Sequence, residues 1–308
     1  MDVCRADINT GEVEVLIEER MNTYIETRPL YLIKNETEMI HWSEKDGWAH
    51  FYRHDINGNL LNRITSGPFH SDNIKYYDQK SNFLFFSAHG VNKEIDPYYE
   101  HTYKISLNGG VPKLLNKGDF NTMTYPSDNH KFFVNNFSRV NTTPKSNLIN
   151  SDGSVIMNLE TADLSALFES GYKFPETFKA KADDGITDLY GVIYKPFDFD
   201  ENKKYPLLEY VYPGPQTESV NKSFSVRMDR LDRMAQLGFI VITLGNRGGH
   251  PDRSKWYHNY GYGNLRDYGL ADKKYVAQQL ANRHDFIDIN RVGIYGHSGG
   301  GFMSTAAI

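Results

Sequence analysis

A turn that ends in glycine recurs four times in the first half of the chain and limits the folds that this half can adopt. The turns are Asn9-Thr10-Gly11, Asn57-Gly58, Asn108-Gly109 and Asp152-Gly153, so successive glycines lie 47, 51 and 44 positions apart. Asn-Gly and Asp-Gly are strong β-hairpin signals, because both central positions of such turns take positive φ angles. A period of about 40–50 residues is typical of the four-stranded blades of a β-propeller.

Alternating strands fill the intervals between these turns, and no helical period is visible before about position 160. The predicted strands are Met39–Ser43, Trp48–His54, Phe83–Phe86, Tyr98–Leu107, Lys131–Phe137 and Ser154–Leu159. We therefore predict a partial β-propeller of about three to four blades in residues 1–160. Because a closed propeller has about four to eight blades, an open arc is expected. A β-sandwich or a set of loose hairpins is the alternative.

The periodicity changes in the second half. Buried strands are predicted at Asp188–Tyr194, Leu207–Tyr212, Phe239–Leu244 and Val292–Tyr295. A first helix, which ends at Gly238, is predicted from the spacing of Phe224, Met228, Leu231, Met234 and Ala235. A second helix is predicted from Asn264, with Asp267 three residues later, through Leu280. This alternation indicates a parallel, doubly wound α/β sheet in residues 175–308.

The last predicted strand leads into the motif Gly296-His297-Ser298-Gly299-Gly300. This is G-x-S-x-G between a strand and a helix, the setting of a nucleophile elbow. A strained turn there presents the serine hydroxyl, and the glycines let neighbouring segments approach closely. We predict Ser298 as the nucleophile of an α/β-hydrolase domain, and an ordinary glycine-rich loop is the alternative.

A serine nucleophile needs a base and an acid, and in this fold both follow the serine along the chain. Residues 299–308 contain no Asp, Glu or His. The sequence as given thus lacks the triad Asp and His. Residues 175–308 are expected to form the N-terminal half of a catalytic domain, ending just after the elbow. We expect this chain on its own to have little peptidase activity and low stability.

Composition excludes several other classes of function. Asp and Glu number 39 against 34 Lys and Arg, and the net charge of −5 gives no electrostatic basis for binding nucleic acid. No apolar run approaches the roughly 18 residues of a membrane span. The single cysteine, Cys4, excludes an internal disulfide framework. No His, Cys or Asp cluster has ligand spacing, so neither a metal nor an organic cofactor is implied.

A β-propeller followed by an α/β-hydrolase domain with this elbow resembles the prolyl oligopeptidase family of serine peptidases, and within it the bacterial type of the dipeptidyl peptidase IV branch. The resemblance covers nearly the whole chain. It is carried by Asp96-Pro97-Tyr98-Tyr99 with Tyr103, Tyr205-Pro206-Leu207-Leu208, Tyr210-Val211-Tyr212-Pro213-Gly214-Pro215, Asn246-Arg247-Gly248 and the elbow itself.

The resemblance implies roles for four residues. Ser298 corresponds to the nucleophile, the N–H of Gly299 to one oxyanion donor and the hydroxyl of Tyr212 to the second donor. Arg247 is a candidate for substrate binding, and the alternative is that it braces its loop through a salt bridge. The branch often has tyrosine after the serine, so Gly299 implies a wider substrate pocket.

The implied function is peptide hydrolysis by acyl transfer, as a dipeptidyl peptidase-like exopeptidase with a peptide as its partner. This branch anchors the substrate's amino terminus with paired glutamates, but we interpret Glu18 and Glu19 as a solvated turn. Two alternatives stay open: an esterase or acylaminoacyl-type hydrolase on the same scaffold, or a catalytically dead fragment that acts only as an interaction protein. The resemblance suggests a periplasmic or secreted location and leaves a homodimer of the intact parent protein open.

Overall fold

Antiparallel strands make up the first half of the computed structural model, which describes residues 1–213, 217–225 and 230–308. A two-stranded hairpin is followed by three four-stranded sheets, and in each sheet neighbouring strands pair in chain order. The hairpin consists of β1 (Asp2–Ala6) and β2 (Val13–Glu18). The first sheet consists of β3 (Tyr31–Ile33), β4 (Glu38–Ser43), β5 (His50–Asp55) and β6 (Leu60–Arg63). The second consists of β7 (His70–Asp78), β8 (Phe83–His89), β9 (Glu100–Ser106) and β10 (Lys113–Leu114). The third consists of β11 (Asn121–Pro126), β12 (Phe132–Ser138), β13 (Lys145–Asn150) and β14 (Val155–Thr161).

The four glycine turns are confirmed as hairpin turns. Gly11 joins β1 to β2, and each of the others joins the last two strands of one sheet. The φ angles are 74° at Gly11, 88° at Gly58, 91° at Gly109 and 93° at Gly153. The period in the sequence is therefore the distance between the outer hairpins of successive sheets.

Consecutive sheets share apolar cores. Phe51 of the first sheet packs in one cluster with Phe86 of the second, and their ring centroids are 5.6 Å apart. Phe85 of the second sheet packs with Phe133 of the third, at 5.7 Å. Phe85 and Phe86 are neighbours on β8 and point to opposite faces, as alternation along a strand requires. The second sheet thus contributes to the cores on both of its sides.

A five-stranded sheet with helices on both faces makes up the second half. The strands are β15 (Glu176–Lys181), β16 (Asp188–Tyr194), β17 (Tyr205–Tyr210), β18 (Ile240–Leu244) and β19 (Ile287–Tyr295), in the order β15-β16-β18-β17-β19. The helices are α1 (Ser165–Glu169), α2 (Arg230–Ala235), α3 (Lys255–His258), α4 (Leu270–Arg283) and α5 (Gly299–Ala306), with a short 3₁₀ turn at Asn259–Gly261. On one face α4 contributes Val276 and Leu280 to the core, and on the other α2 contributes Leu231 and Ala235.

The sheet is mixed, whereas the sequence predicted a parallel one. β17, β18 and β19 are parallel, but β16 runs antiparallel to both β15 and β18. A six-residue hairpin connects β15 to β16, and its N–H of Ala182 donates to the carbonyl of Thr187 (2.8 Å). Such a short connection permits only antiparallel pairing, since parallel strands need a crossover of a dozen or more residues.

The start of α4 differs from the prediction. α4 begins at Leu270, because Asn264 and Asp267 lie in turns before it, and Gly269 takes the N-cap position without a side-chain cap. Of the first predicted helix, the described residues Arg230–Ala235 form α2. Met228 of that prediction, and Gly214 and Pro215 of the resemblance, lie outside the described residues.

Among the described residues, no helix has both the length and the apolar composition that crossing a membrane requires.

We expect Gly58→Ala to destabilise the protein more than Gly11→Ala. Both substitutions force alanine to a positive φ, at a cost of about 1–2 kcal/mol. At Gly11 an added Cβ meets nothing within 4 Å, whereas at Gly58 it collides with the carbonyl oxygen of Leu16. Urea unfolding should show an additional loss of at least about 1 kcal/mol for Gly58→Ala. Equal losses for the two variants would contradict the close approach of the two hairpins.

Candidate active site

Ser298 lies in a sharp turn between β19 and α5. Its φ is 54° and its ψ is −115°, a conformation that a residue with a Cβ rarely adopts, and its side chain is exposed. Strain of this kind is concentrated at functional sites. The backbone is that of the turn that the motif predicts, and the catalytic role of Ser298 stays a prediction.

Glycine at two positions lets this turn approach the end of β17. A Cβ on Gly296 would collide with the carbonyl oxygen of Val211 and lie 2.6 Å from the Cα of Gly300. A Cβ on Gly300 would collide with the same carbonyl oxygen. A larger residue at either position would displace backbone, so both glycines of the motif have the steric role that the sequence indicated.

Tyr212 lies at the same edge of the sheet, because β17 and β19 are adjacent parallel strands. Tyr210 is opposite Tyr295, and the N–H of Val211 donates to the carbonyl of Tyr295 (2.9 Å). A Cβ on Gly300 would lie 3.6 Å from the Cα of Tyr212. The backbone of Tyr212 thus lies against the first turn of α5, at the carboxyl ends of the strands, where open α/β sheets bind their ligands.

Three polar groups of the predicted site have no hydrogen-bond partner among the described residues. Among the described residues, none hydrogen-bonds the hydroxyl of Ser298, the hydroxyl of Tyr212 or the N–H of Gly299. The Gly299 N–H begins α5, where the helix dipole favours negative charge. A Cβ on Gly299 would meet nothing within 4 Å, so open space borders this residue. The convergence of Tyr212 and Gly299 on the Ser298 oxygen stays a prediction.

Arg247 follows β18 and lies among three aspartates. Its Nη2 is 2.7 Å from Asp272 Oδ1 and also donates to Asp183, and its Nη1 is 3.2 Å from Asp184 Oδ2. The guanidinium carbon lies 4.3 Å from the ring centroid of Tyr260. These are the contacts expected of the bracing alternative, and a contact between Arg247 and substrate stays a prediction.

Asp272, in the first turn of α4, is the partner that depends most on Arg247. Its side chain is fully buried, and it also accepts from the backbone N–H of Arg247 at 2.9 Å. Burial raises the pKa of Asp272, and its hydrogen bonds and ion pair with Arg247 oppose that shift. The cluster therefore fixes the loop after β18 to α4.

A buried carboxylate joins the two halves of the chain. Glu218 accepts hydrogen bonds from the hydroxyls of Tyr98 (2.9 Å) and Tyr257 (2.5 Å). Burial raises the pKa of both tyrosines well above the ordinary value, so both hydroxyls remain donors. Beside them Lys222 pairs with Asp96 at 2.6 Å. Sequence reasoning missed Glu218 and Lys222, because their partners lie 120 and 126 positions away.

Glu19 corrects one interpretation of the sequence. It is only 7% exposed, accepts a hydrogen bond from the Ser43 hydroxyl (2.7 Å) and lies 3.2 Å from Nε2 of His41. Burial raises its pKa, but the hydrogen bonds from His41 and Ser43 outweigh this and lower the pKa overall. The solvated-turn interpretation is wrong for Glu19, although Glu18 is exposed.

Metal-ligand geometry is found in the other half of the chain. Asp72, His89 and Glu100 of the second sheet each place a ligand atom within 4.8 Å of the other two. These residues lie 11–28 positions apart in the sequence, which is why no ligand spacing was visible there.

Two family models match the chain. The Dipeptidyl peptidase IV (DPP IV) N-terminal region matches residues 1–144, and the Prolyl oligopeptidase family matches residues 224–308. Human dipeptidyl peptidase 8 is 40% identical over 138 residues, which are 44% of this chain and 15% of that protein. A probable dipeptidyl-aminopeptidase B of Talaromyces marneffei is 28% identical over 271 residues, 84% of this chain and 29% of that relative.

Solved structures show the same arrangement of elements. A putative dipeptidyl aminopeptidase IV from Bacteroides ovatus superposes with a TM-score of 0.86 at 25% identity, over 99% of this chain and 46% of its own. Dipeptidyl peptidase 4 of Porphyromonas gingivalis gives a TM-score of 0.83 at 24% identity, over 99% and 42%. The chain spans less than half of each of these proteins. The resemblance found in the sequence is confirmed by these matches.

We expect Arg247→Met to lower the free energy of unfolding by about 3–5 kcal/mol, because it leaves the carboxylate of Asp272 buried without its cation. The double variant Arg247→Met/Asp272→Leu should recover most of that loss, since an apolar pair replaces the charges. Urea unfolding is the measurement. The control is Arg266→Met, which breaks an exposed pair with Asp267 and should cost less than about 1 kcal/mol. An Arg247→Met loss as small as that of the control would contradict the bracing role.

Proposed function

Because both halves of this chain are similar to prolyl oligopeptidase-family proteins of the dipeptidyl peptidase IV branch, we propose that it carries the nucleophile of a serine peptidase. Ser298 is the proposed nucleophile, and Gly299 and Tyr212 are the proposed oxyanion donors. The observation that carries the proposal is the positive φ of Ser298 in a turn that packs against the end of β17 through Gly296 and Gly300.

The proposed reaction is acyl transfer. The Ser298 oxygen bonds to the carbonyl carbon of the substrate, and the hydroxyl proton passes to a base that later delivers it to the leaving amine. The carbonyl oxygen becomes an oxyanion, which the Gly299 N–H and the Tyr212 hydroxyl stabilise by donating hydrogen bonds. Collapse breaks the peptide bond and leaves an ester on Ser298, and water then hydrolyses that ester. The base and its acid are roles that the resemblance implies, and we assign them to no residue of this chain.

We propose that the substrate is a peptide from which a dipeptide is released at the amino terminus. The support is that the relatives on both halves are named dipeptidyl peptidases or dipeptidyl-aminopeptidases. The open space beside Gly299 supports a pocket that accepts residues larger than proline at the position before the cleaved bond.

We further propose that residues 1–160 form part of a β-propeller, with its blades in an open arc, and that the hydrolase domain begins near residue 175. The support is three consecutive four-stranded antiparallel sheets that share their cores in chain order. A periplasmic or secreted location and a homodimer of the intact protein stay predictions.

We expect Ser298→Ala to abolish labelling by a fluorophosphonate probe and to lower kcat by about 10⁶-fold. Tyr212→Phe should lower kcat by about 10²–10³-fold with little change in KM, because its hydroxyl donates only to the oxyanion. Both variants are expressed in the organism that makes the protein, and their activity is measured with a dipeptidyl amide substrate. The controls are Ser304→Ala in α5, whose hydroxyl donates to the Gly300 carbonyl, and Tyr262→Phe at an exposed position. Unchanged labelling of Ser298→Ala would refute the assignment of the nucleophile.

A substrate panel separates the proposed function from its alternatives. Dipeptidyl amides with proline, alanine or leucine before the cleaved bond are compared with their N-acetylated forms and with simple esters. Cleavage of all three unblocked amides is expected, together with loss of cleavage on acetylation. Turnover of esters alone would instead establish the esterase alternative, and cleavage of acetylated amides an acylaminoacyl-type enzyme.

A further inference from the structure

A row of imidazole and carboxylate groups crosses one end of the second sheet. His70 of β7 is paired opposite His89 of β8, and His89 is paired opposite Glu100 of β9. Residues directly opposite in antiparallel strands project from the same face. Asp72 lies two positions after His70 on β7. Three adjacent strands thus bring four groups of metal-binding chemistry to one place.

The separations between these groups suit a single ion. The ligand atoms of Asp72, His89 and Glu100 all lie within 4.8 Å of one another. Nε2 of His70 lies 3.9 Å from Oδ1 of Asp72. Zinc bonds of about 2.0–2.2 Å in a tetrahedron separate ligand atoms by roughly 3.3–3.6 Å. Asp72, His89 and Glu100 form the group of three, and His70 lies beside it, next to Asp72.

The hydrogen bonding of His89 leaves one ring nitrogen directed into the row. Nδ1 lies 3.2 Å from the carbonyl oxygen of Tyr98, which can only accept, so Nδ1 carries the proton. Nε2 is the other ring nitrogen, and it lies 3.6 Å from a carboxylate oxygen of Asp252. A backbone carbonyl that fixes the tautomer of a histidine in this way is a common feature of metal sites.

His70 supplies an independent sign of a missing partner. Its side chain is 1% exposed, and neither ring nitrogen has a hydrogen-bond partner among the described residues. Buried polar groups in folded proteins nearly always have one. A buried ring with two unsatisfied nitrogens beside the carboxylate of Asp72 is therefore a second observation that points to a bound ion.

Basic side chains beside the carboxylates hold them in position. Arg28 lies 3.1 Å from Asp72, and Lys75 lies 3.1 Å from Glu100. Nδ1 of His250 lies 3.1 Å from a carboxylate oxygen of Asp252. Cationic partners of this kind orient ligating carboxylates.

We propose that His70, Asp72, His89 and Glu100 bind a zinc ion. Two imidazoles with two carboxylates form a donor set that suits zinc, whereas magnesium and calcium prefer oxygen alone. Asp252, in the loop after β18, lies 3.8 Å from His70 Nε2. The proposed ion would thus lie beside this loop of the second half, and its binding is independent of Ser298.

The test begins with protein dialysed against EDTA and then against buffer with zinc chloride, followed by measurement of bound zinc by mass spectrometry. One zinc per chain is expected for the unchanged protein. His89→Gln and the nearly isosteric Glu100→Gln should each weaken zinc affinity by at least about 100-fold, since changes to partners outside the ligand set already cost 10–100-fold. The control is His101→Gln, a buried histidine of β9 that bonds the Gly118 carbonyl instead. Circular dichroism confirms that each variant is folded.

Two measurements on the unchanged protein test zinc binding even if a variant fails to fold. Zinc should raise the thermal unfolding midpoint, and magnesium at the same concentration should not. X-ray absorption at the zinc edge should show two histidine nitrogens with oxygen ligands. The proposal is overturned if no zinc binds, as when the histidines only take up protons. Zinc retained equally by His89→Gln, Glu100→Gln and His101→Gln would overturn it as well.

Discussion

The close contact between the ends of β17 and β19 is the constraint on which the candidate active site depends. Gly296 and Gly300 lie against the carbonyl of Val211, and no side chain fits between them. This contact places Ser298 and Tyr212 at one edge of the sheet, although 86 positions separate them in the sequence. Because the two strands are parallel and adjacent, their carboxyl ends lie at the same edge of the sheet. The strained φ of Ser298 is maintained by that packing.

Two buried ion pairs hold α4 against the sheet. Arg247 holds Asp272 at the start of the helix, and Lys273 lies 3.6 Å from Glu209 of β17. Burial raises the pKa of Glu209 and lowers that of Lys273, and each group opposes the shift of the other. Buried pairs of this kind contribute little net stability, but losing one partner is costly. These pairs therefore contribute more to fixing the position of α4 on the sheet than to the free energy of unfolding.

Several buried polar contacts join the two halves. Lys255 of α3 pairs with Glu44 of the first half at 2.5 Å, and both side chains are almost fully buried. Glu218 joins Tyr98 to Tyr257, and Asp96 pairs with Lys222. Directional bonds fix the orientation of one half on the other, which an apolar interface alone would specify less sharply. Any substrate pocket formed by both halves therefore depends on residues far from Ser298.

The features that the sequence predicted are local ones. The turn glycines and the elbow are visible because φ preferences and a five-residue motif act within a few positions. β15 was not predicted, because only Phe178 and Ala180 alternate with its exposed polar residues, and two apolar positions are too few for a clear pattern. The helix through Asn264 was predicted to begin too early, because a polar residue at a possible N-cap can equally form turns.

Groups that meet only through strand pairing were invisible to sequence reasoning. The spacing of His70, His89 and Glu100 in the sequence does not indicate a site. The register of β7, β8 and β9 makes them neighbours. Glu218 and Tyr98 meet only because loops from both halves face each other. Sequence analysis thus most readily predicts functional groups whose residues lie within a single turn. Sites assembled across strands or between halves require the tertiary structure. Here it places His70, whose ring nitrogens have no hydrogen-bond partner among the described residues, beside the carboxylates of Asp72 and Asp252.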